Sequence, residues 1–440
     1  MKNTVFFSDE NKQFQKVKPL DFKYDPTAEW ETLNIYTDLA FQEVDGFGGA
    51  FTDAAAITFS KMSEKSKNEF IKLTFDKKDG LGYTFCRSTI NSCDFSGSEY
   101  TYVDDNDKSL SSFDIEHDKK DIIPMIKCAY SACNELYLFC SPWSPPAWMK
   151  ENNSMIEGGK LKKENYGVWA EYFVKFIKEY EKNGVTVNGI TVQNEPFAPQ
   201  TWESCNYSID EQIEFIVDYL HPAFVRENIK TQIFIWDHNK EHTYDVARAI
   251  KNTKGAEECI TGIAFHWYSG AHYDNLRFAH EAAPEMKLIS SEFCHGGLSK
   301  IWGNALHYAY DISNNFNNFM AASCDWNILL DENGGPYHNR YSPCQAVIHY
   351  NTKKDEIVIM PQYYAVKHFS YFVKNKAVRL GTSSCSSLIA FSAFKNPDGT
   401  IVAVITSTEQ YEKKCILRFD DYAADIVIPP NSIMTVVIDK

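Results

Sequence analysis

Short apolar runs and longer amphipathic stretches alternate along most of this chain. Eight runs rich in β-branched and aromatic residues recur: VDGFGGAF (44–51), LGYTFCRS (81–88), ELYLFCSP (135–142), VNGITVQNE (187–195), TQIFIWDH (231–238), TGIAFHWY (261–268), EMKLISSE (285–292) and AASCDWNI (321–328). Each is followed by a polar loop and then a longer helical pattern. Ser63 opens one helix as N-cap over 64–75. A second, over 167–184, carries Trp169, Phe173, Phe176, Ile177 and Tyr180 on one face and ends at Gly184. A third, over 208–224, starts with Ser208 and Glu211 as a capping box. Eight strands alternating with helices predict an α/β fold, a (β/α)₈ TIM barrel of parallel strands. An open doubly wound sheet produces the same alternation but usually carries a glycine-rich nucleotide turn after its first strand. Gly46, Gly48 and Gly49 do not make the G-x-G-x-x-G spacing.

The pattern changes after about residue 376. AVRLGTSS, LIAFSAF, TIVAVITST, KCILRFD, DIVIPP and IMTVVIDK alternate with period two, and NPDG (396–399) supplies a tight turn. The strand-like pieces NTVFF and ETLNIY near the start suit the same sheet. The expected organisation is a barrel over 41–372 and one β-sandwich side domain built from both chain ends, 1–40 and 373–440.

Composition narrows the function. The 440 residues are 44% apolar and 23% charged, an ordinary globular mix. A formal net charge of −15 repels phosphate backbones and anionic lipid, which argues against nucleic acid or a membrane surface as partner. No transmembrane run and no leader pattern is read, so a cytoplasmic location is expected. The twelve cysteines form no Cys-x-x-Cys and read as buried reduced thiols. Aromatic residues make up 15% of the chain, and such rings fill cores but also stack on sugars.

Barrel chemistry sits at the C-terminal ends of the strands. The fourth run ends in Gln193-Asn194-Glu195-Pro196 and the seventh in Ser290-Ser291-Glu292. Two carboxylates on one mouth suit glycosidic bond cleavage, one protonated to donate to the leaving oxygen and one ionised to attack the anomeric carbon. Arg87 ends the second run and is placed to orient the glutamates. Two competing readings are a non-catalytic carbohydrate-binding protein, which has no need of both glutamates, and a metallohydrolase using Asp237, His238 and His266.

The pieces DGFGGAFTDAAA (45–56), SCDFS (92–96), SPWSPPAWMK (141–150), QNEP (193–196), FHWY (265–268), SEFC (291–294) and DWN (325–327) run in order over most of the chain. With them the sequence resembles glycoside hydrolase family 30, in its glucosylceramidase-like branch. The resemblance implies a retaining mechanism with Glu195 as acid/base and Glu292 as nucleophile, and neither cofactor nor metal. It implies that Asn194 binds the sugar 2-hydroxyl and Asp94 the distal hydroxyls. Trp143 donates from its indole, Trp326 floors the ring and Tyr268 holds the nucleophile. Asp237 and His266 take supporting roles. Trp202 is expected in an aglycone wall, and Asn339 matches a sugar-contacting Asn. The implied substrate is a small β-glucoside or glycolipid, as for a glucosylceramidase or β-glucosidase. A β-1,6-glucanase and a β-fucosidase are the alternatives within the family. The loops at 197–205 and 334–343 are shorter than in lysosomal members, so the leaving group is the open point.

Overall fold

A computed structural model describes residues 2–338 and 343–439. Eight parallel strands close into a barrel: β1 (Gly46–Phe51), β2 (Phe85–Ile90), β3 (Tyr137–Pro142), β4 (Gly189–Thr191), β5 (Gln232–Asn239), β6 (Gly262–His266), β7 (Lys287–Glu292) and β8 (Met320–Asn327). Each falls within or beside one of the eight runs, and β8 pairs with β1 to close the ring. Closure rules out the doubly wound alternative. The glycines that raised it lie inside β1, where a side chain at Gly48 would meet the Phe85 carbonyl at 1.7 Å. The lower barrel is filled by Phe85, Phe139, Phe234, Ala264, Ile289, Ala322 and Cys324. That apolar plug leaves the strand C-terminal ends free to carry polar groups.

The outer helices follow their sequence signals. Ser63 caps Glu64–Phe75 by accepting from the Ser66 amide. Tyr166–Lys182 buries Trp169, Phe173, Phe176, Ile177 and Tyr180. The third helix starts at the expected Ser208–Glu211 capping box but is not uniform. It runs Ile209–Phe215, passes through a π turn at Ile216–Leu220 and resumes over His221–Arg226. Pro222 has no N–H and its ring presses on the preceding turn, so the ladder widens there.

The last part of the chain forms a β-sandwich domain around a ten-stranded sheet. Strands from the chain start enter the same sheet: Lys2–Ser8 pairs with Ser432–Asp439, and Thr32–Glu43 pairs with Val378–Ser383. One face buries Val5, Leu33, Phe391, Leu417 and Val436. The other packs on the barrel, where His368 bonds to Ser8 and Thr435 at 2.8 Å each and Phe316 meets Phe394 at 5.1 Å. No helix among the described residues is long and apolar enough to cross a membrane.

Candidate active site

Glu195 follows β4, Glu292 ends β7, and both line one cavity of about 420 Å³ at the C-terminal mouth of the barrel. Asp94, Trp202, His238, Tyr268, Cys294, Trp326 and Cys344 complete most of its wall. The loop after β4 supplies Trp202 and the loop after β2 supplies Asp94. Trp143 lies behind the wall, stacked on Trp326 at 4.9 Å, and Asn194 is buried below Glu195. Asn339 lies outside the described residues.

Arg87 is fully buried on β2 and organises the floor. Its Nη1 donates to Glu292 Oε2 at 2.6 Å. Its Nη2 donates to Asp237 Oδ2 at 2.7 Å and to Asn194 Oδ1 at 2.9 Å, and its Nε to Ser141 Oγ at 3.0 Å. The guanidinium also sits 4.7 Å from the Trp143 ring and 5.4 Å from that of Trp326, so the two tryptophans brace a cation from above. Only a planar fork makes all these contacts at once.

Asp237 is the second hub. It also accepts from Thr191 and Ser291 at 2.6 Å, and His266 Nε2 lies 3.0 Å away. Burial pushes its carboxyl up, but the Arg87 charge, then His266 and the Ser291 hydrogen bond, hold it well below the usual carboxylate range. The local backbone explains how Asp237 reaches so many partners. Trp236 and Asp237 take left-handed φ of 81° and 55°, and the β5–β6 register skips Asp237. Such a bulge re-aims a side chain. Glu195 itself has φ of 46°, held by its amide donating to the Asp237 carbonyl at 3.0 Å. Non-glycine residues in this region concentrate strain where function over-determines them.

His266 places Nδ1 3.2 Å from Glu195 Oε1 and Nε2 3.0 Å from Asp237 Oδ1. A neutral imidazole donates from one nitrogen only, so an imidazolium satisfies both contacts. Burial opposes that charge, but Glu292, Asp237 and Glu195 outweigh it and raise the ring to about 9. The cation changes the glutamates in turn. Burial pushes Glu195 up, yet the His266 hydrogen bond and charge pull it below its ordinary value. Glu292 is raised by burial and by the Glu195 and Asp237 charges, against His266 and Arg87. A Glu195 that rests protonated, as its acid/base role implies, therefore meets an opposing group in His266.

Tyr268 donates to Glu292 Oε1 at 3.0 Å, as expected, while its ring stays partly exposed. Asp94 has a buried Oδ1 without a partner among the described residues. Burial, then the charges of Glu292, Glu203 and Glu195, raises its carboxyl well above the ordinary range. Incoming hydroxyl donors would favour its ionised form. Glu195, His238 and His266 offer donor atoms within 4.8 Å of one another, a spacing a metal ion can use. Their chemistry fits poorly, because both His266 nitrogens are engaged by carboxylates and the ring carries a proton that a ligand must lose.

Several contributors escaped the sequence reading. Ser141, Thr191 and Ser291 end barrel strands, a signal that was available. His338 bridges the Ser96 carbonyl and buried Glu203 at 3.0 Å each, tying three rim loops together without any local pattern to announce it.

Comparison with known proteins gives the same picture. Residues 44–373 match the glycosyl hydrolase family 30 TIM-barrel domain, and 376–436 match that family's β-sandwich domain. A putative glucosylceramidase 3 of Caenorhabditis elegans is 32% identical over 438 residues, covering 93% of this chain and 82% of the relative. The crystal structure of SrfJ from Salmonella typhimurium superposes with a TM-score of 0.96 at 34% identity, covering all of both chains. A solved endo-β1,6-glucanase superposes with a TM-score of 0.89 at 25% identity, covering 100% of this chain and 99% of the other.

Proposed function

The chain belongs to glycosyl hydrolase family 30, and from that premise we propose that it cleaves a terminal β-glucosyl bond with retention, by double displacement at Glu292 and Glu195. The observation that carries this reading is the unequal support of the two carboxylates. Glu292 accepts from Arg87 and Tyr268, which fix its oxygens for attack. Glu195 instead shares a hydrogen bond with a protonated imidazole.

In the first step Glu292 attacks the anomeric carbon, and the glycosidic C–O bond breaks. The departing oxygen takes a proton from Glu195, which Glu195 first draws from His266 across their hydrogen bond, so that Glu195 ends the step ionised and His266 neutral. One dissociable proton thus belongs to the Glu195–His266 pair, and the two titrate together. The glycosyl ester removes the negative charge of Glu292, the leading cause that holds the proton on His266. Glu195, left ionised, then takes a proton from water, whose oxygen attacks the same carbon and releases Glu292. Asn194, oriented by Arg87, is assigned to the sugar 2-hydroxyl, and Asp94 to the distal hydroxyls. Trp326 forms the platform, with Trp143 supporting it, and Trp202 forms the aglycone wall. We assign residues 41–372 to the catalytic barrel, and 1–40 with 373–440 to one side domain.

The glucosylceramidase relative favours a glucoside or glucolipid substrate. The full-length match to an endo-β1,6-glucanase supports a second reading, a β-1,6-linked glucan. A panel of glucosylceramide, β-1,6-linked glucosides, and aryl glucosides, fucosides and xylosides tests both, with NMR of the first-formed sugar. Release of β-anomer from a β-glucoside is expected. Release of α-anomer overturns retention, and turnover confined to fucosides or xylosides overturns the glucosyl assignment.

A further inference from the structure

Cys294 and Cys344 form a second chemical cluster on the wall of the catalytic cavity, and no step of hydrolysis uses them. Their sulfurs are 3.7 Å apart, and both residues are partly exposed. The pairing has a structural origin. Cys344 faces Gly296 across an antiparallel bridge, extended by Gln345 N to His295 O at 2.8 Å and Gly297 N to Pro343 O at 2.9 Å. Cys294 precedes Gly296 by two residues and so shares its face. Gly296 places no side chain between the sulfurs. The Cys294 sulfur also lies 3.4 Å from the Tyr268 hydroxyl, the group that donates to Glu292.

We propose that Cys294 and Cys344 are a binding site for one thiophilic metal or metalloid ion, and that its occupation stops hydrolysis by disturbing Tyr268 and Glu292. The spacing favours a bridging ion over a direct sulfur–sulfur bond. Two metal–sulfur bonds of about 2.3 Å at a tetrahedral angle hold the sulfurs about 3.8 Å apart, close to the 3.7 Å observed. A disulfide needs about 2.05 Å. The two cysteines are diagonal neighbours, whose Cα atoms lie about 7–8 Å apart in antiparallel pairs, the upper limit for a disulfide without backbone movement. Soft thiolate ligands select ions such as cadmium and trivalent arsenic over hard oxygen-seeking cations. Binding of a divalent ion breaks two S–H bonds, forms two S–metal bonds and releases two protons to solvent, whereas an arsenic(III) oxide forms two As–S bonds and loses its oxygen as water with the two thiol protons; neither changes an oxidation state.

The test is a titration of the reduced full-length chain with cadmium chloride, following thiolate-to-cadmium absorption in the absence of substrate and aryl-glycoside hydrolysis in parallel. One tight equivalent that both absorbs and inhibits is expected. In Cys344→Ser that equivalent weakens by at least about a hundredfold, the upper end of what losing even an outer-sphere partner costs. Cys385→Ser, in the side domain, keeps it. Wild-type affinity and inhibition in Cys344→Ser would overturn the proposal. A second measurement needs no variant: phenylarsine oxide is added to the wild-type chain, which is then digested and mapped by mass spectrometry. One arsenic joining the peptides of Cys294 and Cys344 is expected. Arsenic absent from that pair overturns the site. The absorption and mapping readouts use no substrate, so their failure is distinguishable from failure of the glycosidase reading.

Discussion

Replacing Arg87 by Met tests the floor of the site most severely. The substitution keeps an apolar stem but deletes a buried cation that donates to Glu292, Asp237, Asn194 and Ser141. Removing one partner of a buried ion pair costs about 3–5 kcal/mol. Two carboxylates lose Arg87, yet the losses do not simply double. Asp237 retains Thr191, Ser291 and His266, and Glu292 escapes its uncompensated charge by taking up a proton. The expected loss of folding stability at neutral pH is therefore about 3–5 kcal/mol, read by urea unfolding with tryptophan fluorescence. Trp143, stacked 4.7 Å from the guanidinium, reports on the same place. Arg87→Lys keeps the charge but not the fork, so it should fall between wild type and Met. In the Lys variant the acid limb of the hydrolysis profile should move to higher pH, because Glu292 loses its shortest donor. A double-mutant cycle of Arg87→Met with Glu292→Gln should show a coupling of about 1.5–3 kcal/mol, the size of a hydrogen bond to a charged group. Arg87→Met within about 1 kcal/mol of wild type, together with no coupling, would refute the organising role.

Further predictions concern the proton and the metal. His266 has a folded pKa raised above its unfolded value, so its stabilisation is complete below about pH 6.5 and disappears as pH rises through about 9. Wild type should lose about 3 kcal/mol of stability across that window relative to His266→Gln; parallel curves for the two proteins would contradict the imidazolium. Glu195→Gln should nearly abolish hydrolysis of glucosides with poor leaving groups while sparing aryl glucosides with good ones, and equal loss on both would remove Glu195 from the acid role. EDTA should leave turnover unchanged; loss of activity that added metal restores would mean that Glu195, His238 and His266 hold an ion.

Most of the architecture was legible because its signals are local. Eight β-branched runs mark the eight strands, and Ser63 and the Ser208–Glu211 box mark helix starts within one turn. The two glutamates were legible for a related reason, since the barrel carries every strand end to one mouth. What escaped depends on contacts between distant residues or on backbone irregularity. Asp237 read as a supporting residue because no sequence signal announces the left-handed φ at Trp236 and Asp237 that turns it towards Arg87. His266 looked structural because its charge arises from carboxylates on or just after three other strands. The Cys294–Cys344 pair spans fifty residues of sequence and exists only through the bridge at Gly296. The π turn before Pro222 shows the opposite case, a local signal, the proline, present in the sequence of a helix that reads as uniform from its capping box and apolar face.

Covalent trapping addresses the central claim most directly. A 2-deoxy-2-fluoro-β-glucoside with a good leaving group should inactivate the enzyme, and peptide mapping should find a single fluoroglucosyl ester on Glu292. An ester on Glu195 or on any other residue, or turnover of the fluorosugar without any covalent adduct, would contradict the account.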